Sequence, residues 1–261
     1  MNSKRALVTG AGKRLGRTMA LCLAERGYDV AVHFATSGKE AEEVVREIRA
    51  IGQKAQSLQA NLLDEEQANT LVDQASGALG GALSVLVNNA SIFEYDTLET
   101  ATRESWDRHL GSNLRAPFIL TQAFAAAAPE PGLDNNGETF AQAMVVNMVD
   151  QRVLKLTPEF MTYTIAKMGL WALTQTAAQA LAPKVRVNAI APGPTMIGAR
   201  QSESHFERQR AATVLQRGAN SDDIAAALRY LLDARAVTGQ LLSVDGGQHL
   251  GWKTTDVLGT E

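Results

Sequence analysis

A chain of 261 residues, 45% hydrophobic and 20% charged, has the length and apolar content for one large α/β domain or two small ones, and excludes a disordered or fibrous protein. A net charge of -3 gives no broad basic field, which argues against nucleic acid as a partner. The single cysteine, Cys22, rules out an intrachain disulfide and suits a reducing, cytoplasmic compartment; between Leu21 and Leu23 it reads as a small core residue. The start, Met1 to Arg5, runs into an apolar strand pattern without the apolar run and cleavage site of a secretory leader. No stretch approaches the roughly 20 apolar residues that span a bilayer, so no membrane is expected as a partner.

Short apolar strands alternate with longer helical patterns. Strands are predicted at residues 6–9, 30–34, 55–59, 85–88, 144–148, 185–190 and 240–244. Helices are predicted at 14–26, 39–51, 65–79, 103–127 with a disturbance at Pro117, 158–181 and 221–232. This alternation predicts an α/β fold: a Rossmann-type doubly wound parallel sheet of about seven strands with helices on both faces. No linker, composition break or repeat divides it, so residues 1–261 read as one domain. Residues 129–137, rich in Pro, Gly, Asp and Asn, read as an exposed loop. The polar stretch 196–216 follows the sixth strand, where an open sheet places either a lid over a ligand crevice or a plain surface excursion.

The first strand runs into Thr9-Gly10-Ala11-Gly12-Lys13-Arg14-Leu15-Gly16. Glycines permit a tight turn and close approach of backbone to a pyrophosphate, and the following helix offers free N–H groups and a positive dipole end. Such a turn is a weak signal alone; between the first strand and first helix of a strand–helix chain it points to a dinucleotide. An NAD site usually ends the second strand with a carboxylate for the adenosine ribose, whereas this strand continues His33-Phe34-Ala35-Thr36-Ser37. Lys13 and Arg14 suit the 2′-phosphate of NADPH, with His33 and Ser37 as further donors; the competing reading leaves Lys13 merely solvated.

Tyr163 and Lys167 lie four residues apart, on one face of a helix. An ammonium beside a phenol lowers its pKa and makes it a better proton donor near neutral pH. With the glycine turn, Asn88-Asn89-Ala90, Asn113, Pro192-Gly193 and Val244-Asp245-Gly246-Gly247 in order, the chain resembles the short-chain dehydrogenase/reductase family over nearly its full length. The resemblance implies that Asn113 holds a water in the proton relay and that Lys167 also binds the nicotinamide ribose. It implies that Thr195, after Pro192 and Gly193, holds the carboxamide. It also implies a cofactor footprint that takes in Leu15, Gly16, Asn61, Leu62, Asn89, Ala90 and Ser91, and a homotetramer built through the two long helices and the last strand. No metal is implied.

Two departures narrow the resemblance. Arg14 replaces the middle glycine of the family's turn, and Asp150 stands thirteen residues before Tyr163, where the family usually has serine. Both are similar to the pteridine reductase and dihydromonapterin (dihydrofolate) reductase branch, as is Phe93 after the fourth strand, in a position that stacks on a pterin. Phe93 as core packing is the plainer alternative. Asp150 carries chemical meaning. Carbonyl reduction builds negative charge on oxygen, and two unit charges ~4 Å apart repel by about 4 kcal/mol at an effective dielectric of 20. Reduction of a C=N bond instead leaves a basic nitrogen that takes a proton. Asp150 can raise the Tyr163 pKa against Lys167, supply a proton if protonated, or accept hydrogen bonds from ring N–H groups. The sequence therefore reads as an NADPH-dependent reductase of a pterin-like heterocycle, with Tyr163, Lys167, Asp150 and Asn113 catalytic and Arg14, Phe93, Asp150 and Tyr163 touching substrate. The alternatives are a general carbonyl reductase of the same family and a non-catalytic NADPH-binding regulator.

Overall fold

A computed structural model of the chain describes residues 4–198 and 201–254. The elements follow the predicted alternation: β1 (Arg5–Val8), α1 (Arg14–Glu25), β2 (Asp29–Phe34), α2 (Gly38–Ile51), β3 (Ala55–Gln59), α3 (Glu65–Leu79) and β4 (Val85–Asn88). They continue with α4 (Arg103–Leu110), a π-helical turn (Gly111–Arg115), α5 (Ala116–Ala127), β5 (Gly132–Leu133), β6 (Thr139–Phe140) and β7 (Ala143–Met148). After a 3-10 turn (Gln151–Val153) come α6 (Met161–Leu181), β8 (Val185–Pro192), α7 (Glu203–Ala211), α8 (Ser221–Asp233) and β9 (Leu241–Val244).

Seven strands form one sheet in the order β3-β2-β1-β4-β7-β8-β9, and every pairing in it is parallel. β4 and β7 are buried along their whole length, as near-continuous apolar runs require when helices cover both faces. One layer packs α1, α2 and α8 on the sheet through Met19, Leu23, Val44, Ile48, Ile224 and Leu228. The other packs α3, α5 and α6 through Leu71, Leu79, Leu120, Phe124 and Ala178. Cys22 is buried in the first layer. The strand order reverses between β1 and β4, so the C-terminal ends of these strands open a crevice at the position where doubly wound sheets bind ligands.

Three local outcomes differ from the sequence reading. The helix predicted over 103–127 breaks upstream of Pro117, into a π-helical turn around the buried Asn113; Pro117 sits in the first turn of α5. The helix predicted from 158 starts at Met161, because Phe160 is in the left-handed region at φ 54. The loop predicted at 129–137 carries β5, which pairs antiparallel with β6 as a small hairpin. In the 196–216 stretch, α7 is formed, while Ala199 and Arg200 lie outside the described residues, as does the Met1 to Ser3 start. Among the described residues no helix is long and apolar enough to cross a membrane.

Candidate active site

The glycine turn is built by close contacts that exclude side chains. Gly10 has φ +62, and a Cβ there would lie 3.0 Å from Ala90 Cα; a Cβ on Gly16 would lie 2.2 Å from the Gly10 carbonyl oxygen. The Asn89 amide donates to the carbonyls of Thr9 (2.8 Å) and Gly10 (3.2 Å), while Thr9 Oγ1 accepts the N–H groups of Asn89 and Ala90, both at 2.9 Å. The ends of β1 and β4 are thereby locked together. Lys13 precedes α1 without a side-chain cap, so the first turn of this helix presents its N–H groups and dipole to the crevice beside Leu15 and Gly16.

His33 does not serve as a phosphate donor. Its ring is buried; Nδ1 accepts the Gly10 N–H at 3.1 Å and Nε2–H donates to the Ala60 carbonyl at 3.0 Å. The residue is a prop beneath the turn. Burial lowers its pKa from 6.5 to about 4, since the charged imidazolium would be desolvated. A folded pKa below the unfolded one gives stability that is complete above 6.5 and lost as pH falls toward 4. At about 1.4 kcal/mol per unit the loss approaches about 3 kcal/mol. A His33→Gln variant, titrated by urea unfolding between these pH values, is expected to lose that dependence; an unchanged profile would assign it to other groups.

Around the expected phosphate pocket, Lys13 pairs with Glu40 at 2.6 Å, so a carboxylate from α2 does stand beside it. An exposed pair of this kind is weakened by solvent screening and can exchange for a phosphate. Ser37 Oγ would be 2.8 Å from a Cβ on Gly12, which places the hydroxyl against the turn. Arg14 has φ 53, and its guanidinium donates to the carbonyls of Met196 (3.0 Å) and Ile197 (2.6 Å), tying the turn to the segment after β8. Beyond β3, Leu62 is buried and the Asn61 side-chain oxygen accepts the Leu63 N–H at 3.1 Å. After β8, Pro192 pairs with Val244 in register, Gly193 lies so close to Asp245 that a Cβ would meet it at 2.6 Å, and Thr195 Oγ1 donates to the Gly193 carbonyl at 3.1 Å.

α6 carries Tyr163 and Lys167 one turn apart, both buried. The Tyr163 hydroxyl donates to Asp150 Oδ2 at 2.9 Å, and Asp150 Oδ1 accepts the Arg152 N–H at 2.8 Å. Lys167 Nζ donates to the Met148 carbonyl at 2.8 Å and lies 5.6 Å from the Tyr163 ring centre. Of the two influences expected on the phenol, the one from Asp150 is present, second to burial. Burial first, then the Asp150 charge and hydrogen bond, push the Tyr163 pKa well above 10, while a Ser91 hydrogen bond pulls it down. Burial raises the Asp150 carboxyl and lowers Lys167 to about 8, with Asp150 acting to raise the latter. The site therefore holds a protonated phenol at neutral pH, hydrogen-bonded to the Asp150 carboxyl and with Lys167 beside its ring.

Asn113 is fully buried in the π-helical turn. Its amide oxygen accepts the Ile92 N–H at 2.9 Å, and its nitrogen donates to the Ile92 carbonyl at 2.8 Å. One amide N–H and one oxygen lone pair remain beyond these bonds. Ser91 and Phe93 flank the clamped residue. Phe93 is 44% exposed, so the core-packing alternative does not describe it. One face stacks on Phe160 with centroids 4.3 Å apart and planes 9° from parallel, and Tyr163 packs against it at 4.6 Å and 70°. Tyr95 meets Phe160 edge-on at 5.2 Å, and the Arg152 guanidinium lies 4.7 Å over the same ring.

The fold thus brings together Arg14 with the turn, and Phe93, Asp150, Tyr163 and Lys167 with one another, and turns His33 inward. Sequence reading missed Phe160 and Arg152. The signal for Phe160 was present in its spacing three residues before Tyr163, though its left-handed backbone was not. A cavity of about 620 Å³ at the opposite, N-terminal edge of the sheet, between Arg5, Arg26 and Arg186, does not coincide with this crevice. The site is located by the strand-order reversal and the convergence of these side chains, rather than by volume.

Comparison with known proteins agrees with this geometry. The family profile described as enoyl-(acyl carrier protein) reductase matches residues 10–249. A 3-oxoacyl-(acyl-carrier-protein) reductase FabG from Staphylococcus aureus is 34% identical over 253 residues, covering 95% of this chain and 99% of that protein. A crystal structure of FolM alternative dihydrofolate reductase 1 from Brucella canis complexed with NADP is similar with a TM-score of 0.89 and 42% identity, over 97% of both chains. A short chain dehydrogenase from Burkholderia cenocepacia in complex with NADP gives a TM-score of 0.84 at 32% identity, over 94% of this chain and 97% of that one.

Proposed function

The chain belongs to the short-chain dehydrogenase/reductase family, and from that premise we propose that it is an NADPH-dependent reductase of a pterin-like C=N heterocycle, of the dihydropterin or dihydrofolate type. The cofactor follows from the NADP held by the two similar solved structures and from the fit of the crevice: a turn whose glycines admit no Cβ, an uncapped helix start, and no carboxylate at the end of β2. Gly10 to Gly16 would hold the pyrophosphate; Lys13, Arg14 and Ser37 the 2′-phosphate; Asn61 and Leu62 the adenine; Asn89, Ala90 and Ser91 the middle of the molecule. Tyr163 and Lys167 would hold the nicotinamide ribose, and Pro192, Gly193 and Thr195 the carboxamide. When bound, the nicotinamide supplies a hydride. Tyr163 would deliver the proton, Asp150 would accept hydrogen bonds from ring N–H or amino groups, and Phe93 would cover one face of a flat ring. Arg14 would face a ring oxygen or nitrogen as well as phosphate.

The observation that carries the substrate reading is the Tyr163–Asp150 hydrogen bond, an acceptor standing where carbonyl reduction calls for a donor. The FabG relative favours a second reading, reduction of a 3-oxoacyl thioester. NADPH oxidation measured with dihydropterins, dihydrofolate, a 3-oxoacyl thioester and simple ketones separates them. Turnover of the flat heterocycles with poor ketone activity is expected; brisk thioester or ketone turnover with no pterin reduced would leave the second reading.

NADPH is expected to bind more tightly than NADH. Arg14→Ala is expected to weaken NADPH by roughly 10- to 100-fold, the loss of one charge-assisted phosphate contact, with little change for NADH. Equal affinities of the wild type for both cofactors, by fluorescence titration, would remove Lys13 and Arg14 from this role. A homotetramer is the expected assembly, which light scattering measures directly.

A further inference from the structure

Tyr163 sits in the first turn of α6, yet Phe160, the residue that precedes the helix, gives it no side-chain cap. The cap comes from the segment after β4. Asp96 Oδ1 accepts the Thr162 N–H at 3.1 Å, its other oxygen accepts the Thr162 hydroxyl, and its backbone carbonyl accepts the Met161 N–H at 3.3 Å. A carboxylate at a helix start is stabilised by the free N–H groups and the dipole. Thr162 Oγ1 in turn accepts Nδ1–H of His109, from α4, at 2.7 Å, and His109 Nε2 accepts the Glu94 N–H at 3.1 Å. Asp96, Thr162 and His109 are 2%, 1% and 0% exposed.

This chain of hydrogen bonds has one polarity. Glu94 N–H only donates and the Asp96 carboxylate only accepts, so His109 must be neutral with its proton on Nδ1. Burial, the largest influence, lowers the His109 pKa and agrees with that. The two ends of the chain adjoin the reacting groups: Glu94 follows Phe93, and Thr162 precedes Tyr163. The His109 ring also packs edge-on to Tyr163, with centroids 6.0 Å apart.

We propose that Asp96, Thr162 and His109 form a buried positioning latch that fixes the Phe93 ring relative to the Tyr163 hydroxyl. It rests on the reading of Tyr163 as proton donor and is independent of which ring is reduced. The latch is also acid-sensitive. A second proton on His109 would set Nε2–H against the Glu94 N–H. The Asp96 and Glu94 carboxylates favour that proton; Arg108 and Lys167 oppose it, and burial outweighs the carboxylates. With the folded pKa below the ordinary 6.5, the latch stays intact at that pH and opens only as pH falls through the lowered value.

The test compares Thr162→Val, which removes the hydroxyl in nearly the same volume, with Thr162→Ser, which keeps it. NADPH affinity, kcat, KM and the pH profile are measured, together with ¹⁵N NMR of the histidine rings in the NADP-bound protein. Thr162→Val is expected to lower kcat by about 10- to 100-fold, the effect of misplacing a reacting group by a fraction of an ångström to about an ångström, with NADPH affinity kept. Its acid limb should move, and Thr162→Ser should restore both. Equal loss in both variants, or a Thr162→Val enzyme with unchanged kcat and pH profile, would overturn the latch. The NMR arm stands without turnover: a His109 protonated on Nε2, or titrating at 6.5 or above, would overturn it. Absence of any reductase activity in the wild type would instead count against the proposed function.

Discussion

Tyr163→Phe is expected to lower turnover by roughly 10²- to 10⁴-fold, the usual contribution of a positioned general acid, while NADPH affinity falls by no more than the roughly 10-fold of one lost ribose hydrogen bond. The variant deletes only a hydroxyl. The ring contacts with Phe93 and His109 remain, and so does the Lys167 bond to the Met148 carbonyl, so the fold around α6 has no reason to shift. The hydroxyl itself is held by Asp150 at 2.9 Å, and with its pKa well above 10 it is fully protonated at neutral pH, as a donor must be. Lys167, lowered to about 8, is protonated below that pH and neutral above it. The rate of reduction is therefore expected to fall as pH rises through about 8, where the positive charge beside the phenol is lost. Because Asp150, Tyr163 and Lys167 interact, the measured limb belongs to the trio. Single-turnover rates with saturating NADPH check both expectations. A Tyr163→Phe enzyme as fast as the wild type would take the phenol out of the mechanism.

Asp150→Ser is expected to reduce turnover of the heterocycle by about 10- to 100-fold for each charge-assisted hydrogen bond to the ring that it removes. The same change should raise activity on simple ketones. The argument is electrostatic. A carboxylate about 4 Å from a developing oxyanion opposes it by about 4 kcal/mol at an effective dielectric of 20, whereas a serine hydroxyl donates to it. Removing the carboxylate also removes two of the causes that raise the Tyr163 pKa, leaving burial. The Arg152 N–H loses its Asp150 acceptor in the exchange, a local loss that a serine oxygen can repair. Asp150→Asn separates charge from shape, since it keeps the volume and adds a donor. If hydrogen bonding rather than charge is what Asp150 supplies, Asn should retain more activity than Ser. kcat/KM for a dihydropterin and a ketone, across the three proteins, decides this; a Ser variant with wild-type preference would show that Asp150 does not select substrate.

The strands, the helices and the parallel architecture were legible in the sequence because they rest on local regularities. Apolar runs such as Val85–Asn88 and spacing of 3.6 residues in α2 and α3 encode burial on both faces of a sheet and on one face of a helix. Gly10, Gly16, Tyr163 and Lys167 were legible for a similar reason, since backbone freedom and a one-turn separation are properties of short segments. The tertiary structure decided which long-range partners those segments meet. His33 read as a donor at the end of a strand, yet its ring is buried and engaged with the Gly10 N–H and the Ala60 carbonyl. The helix over 103–127 read as continuous, yet Asn113 is drawn to Ile92, and the extra residue is absorbed as a π-helical turn. Asp96 and Thr162 are 66 residues apart, and His109 and Thr162 are 53 apart, so no periodicity links them. Their pairing follows from α4 packing on α6 and from the segment after β4 reaching the start of that helix, where buried polar groups must find partners.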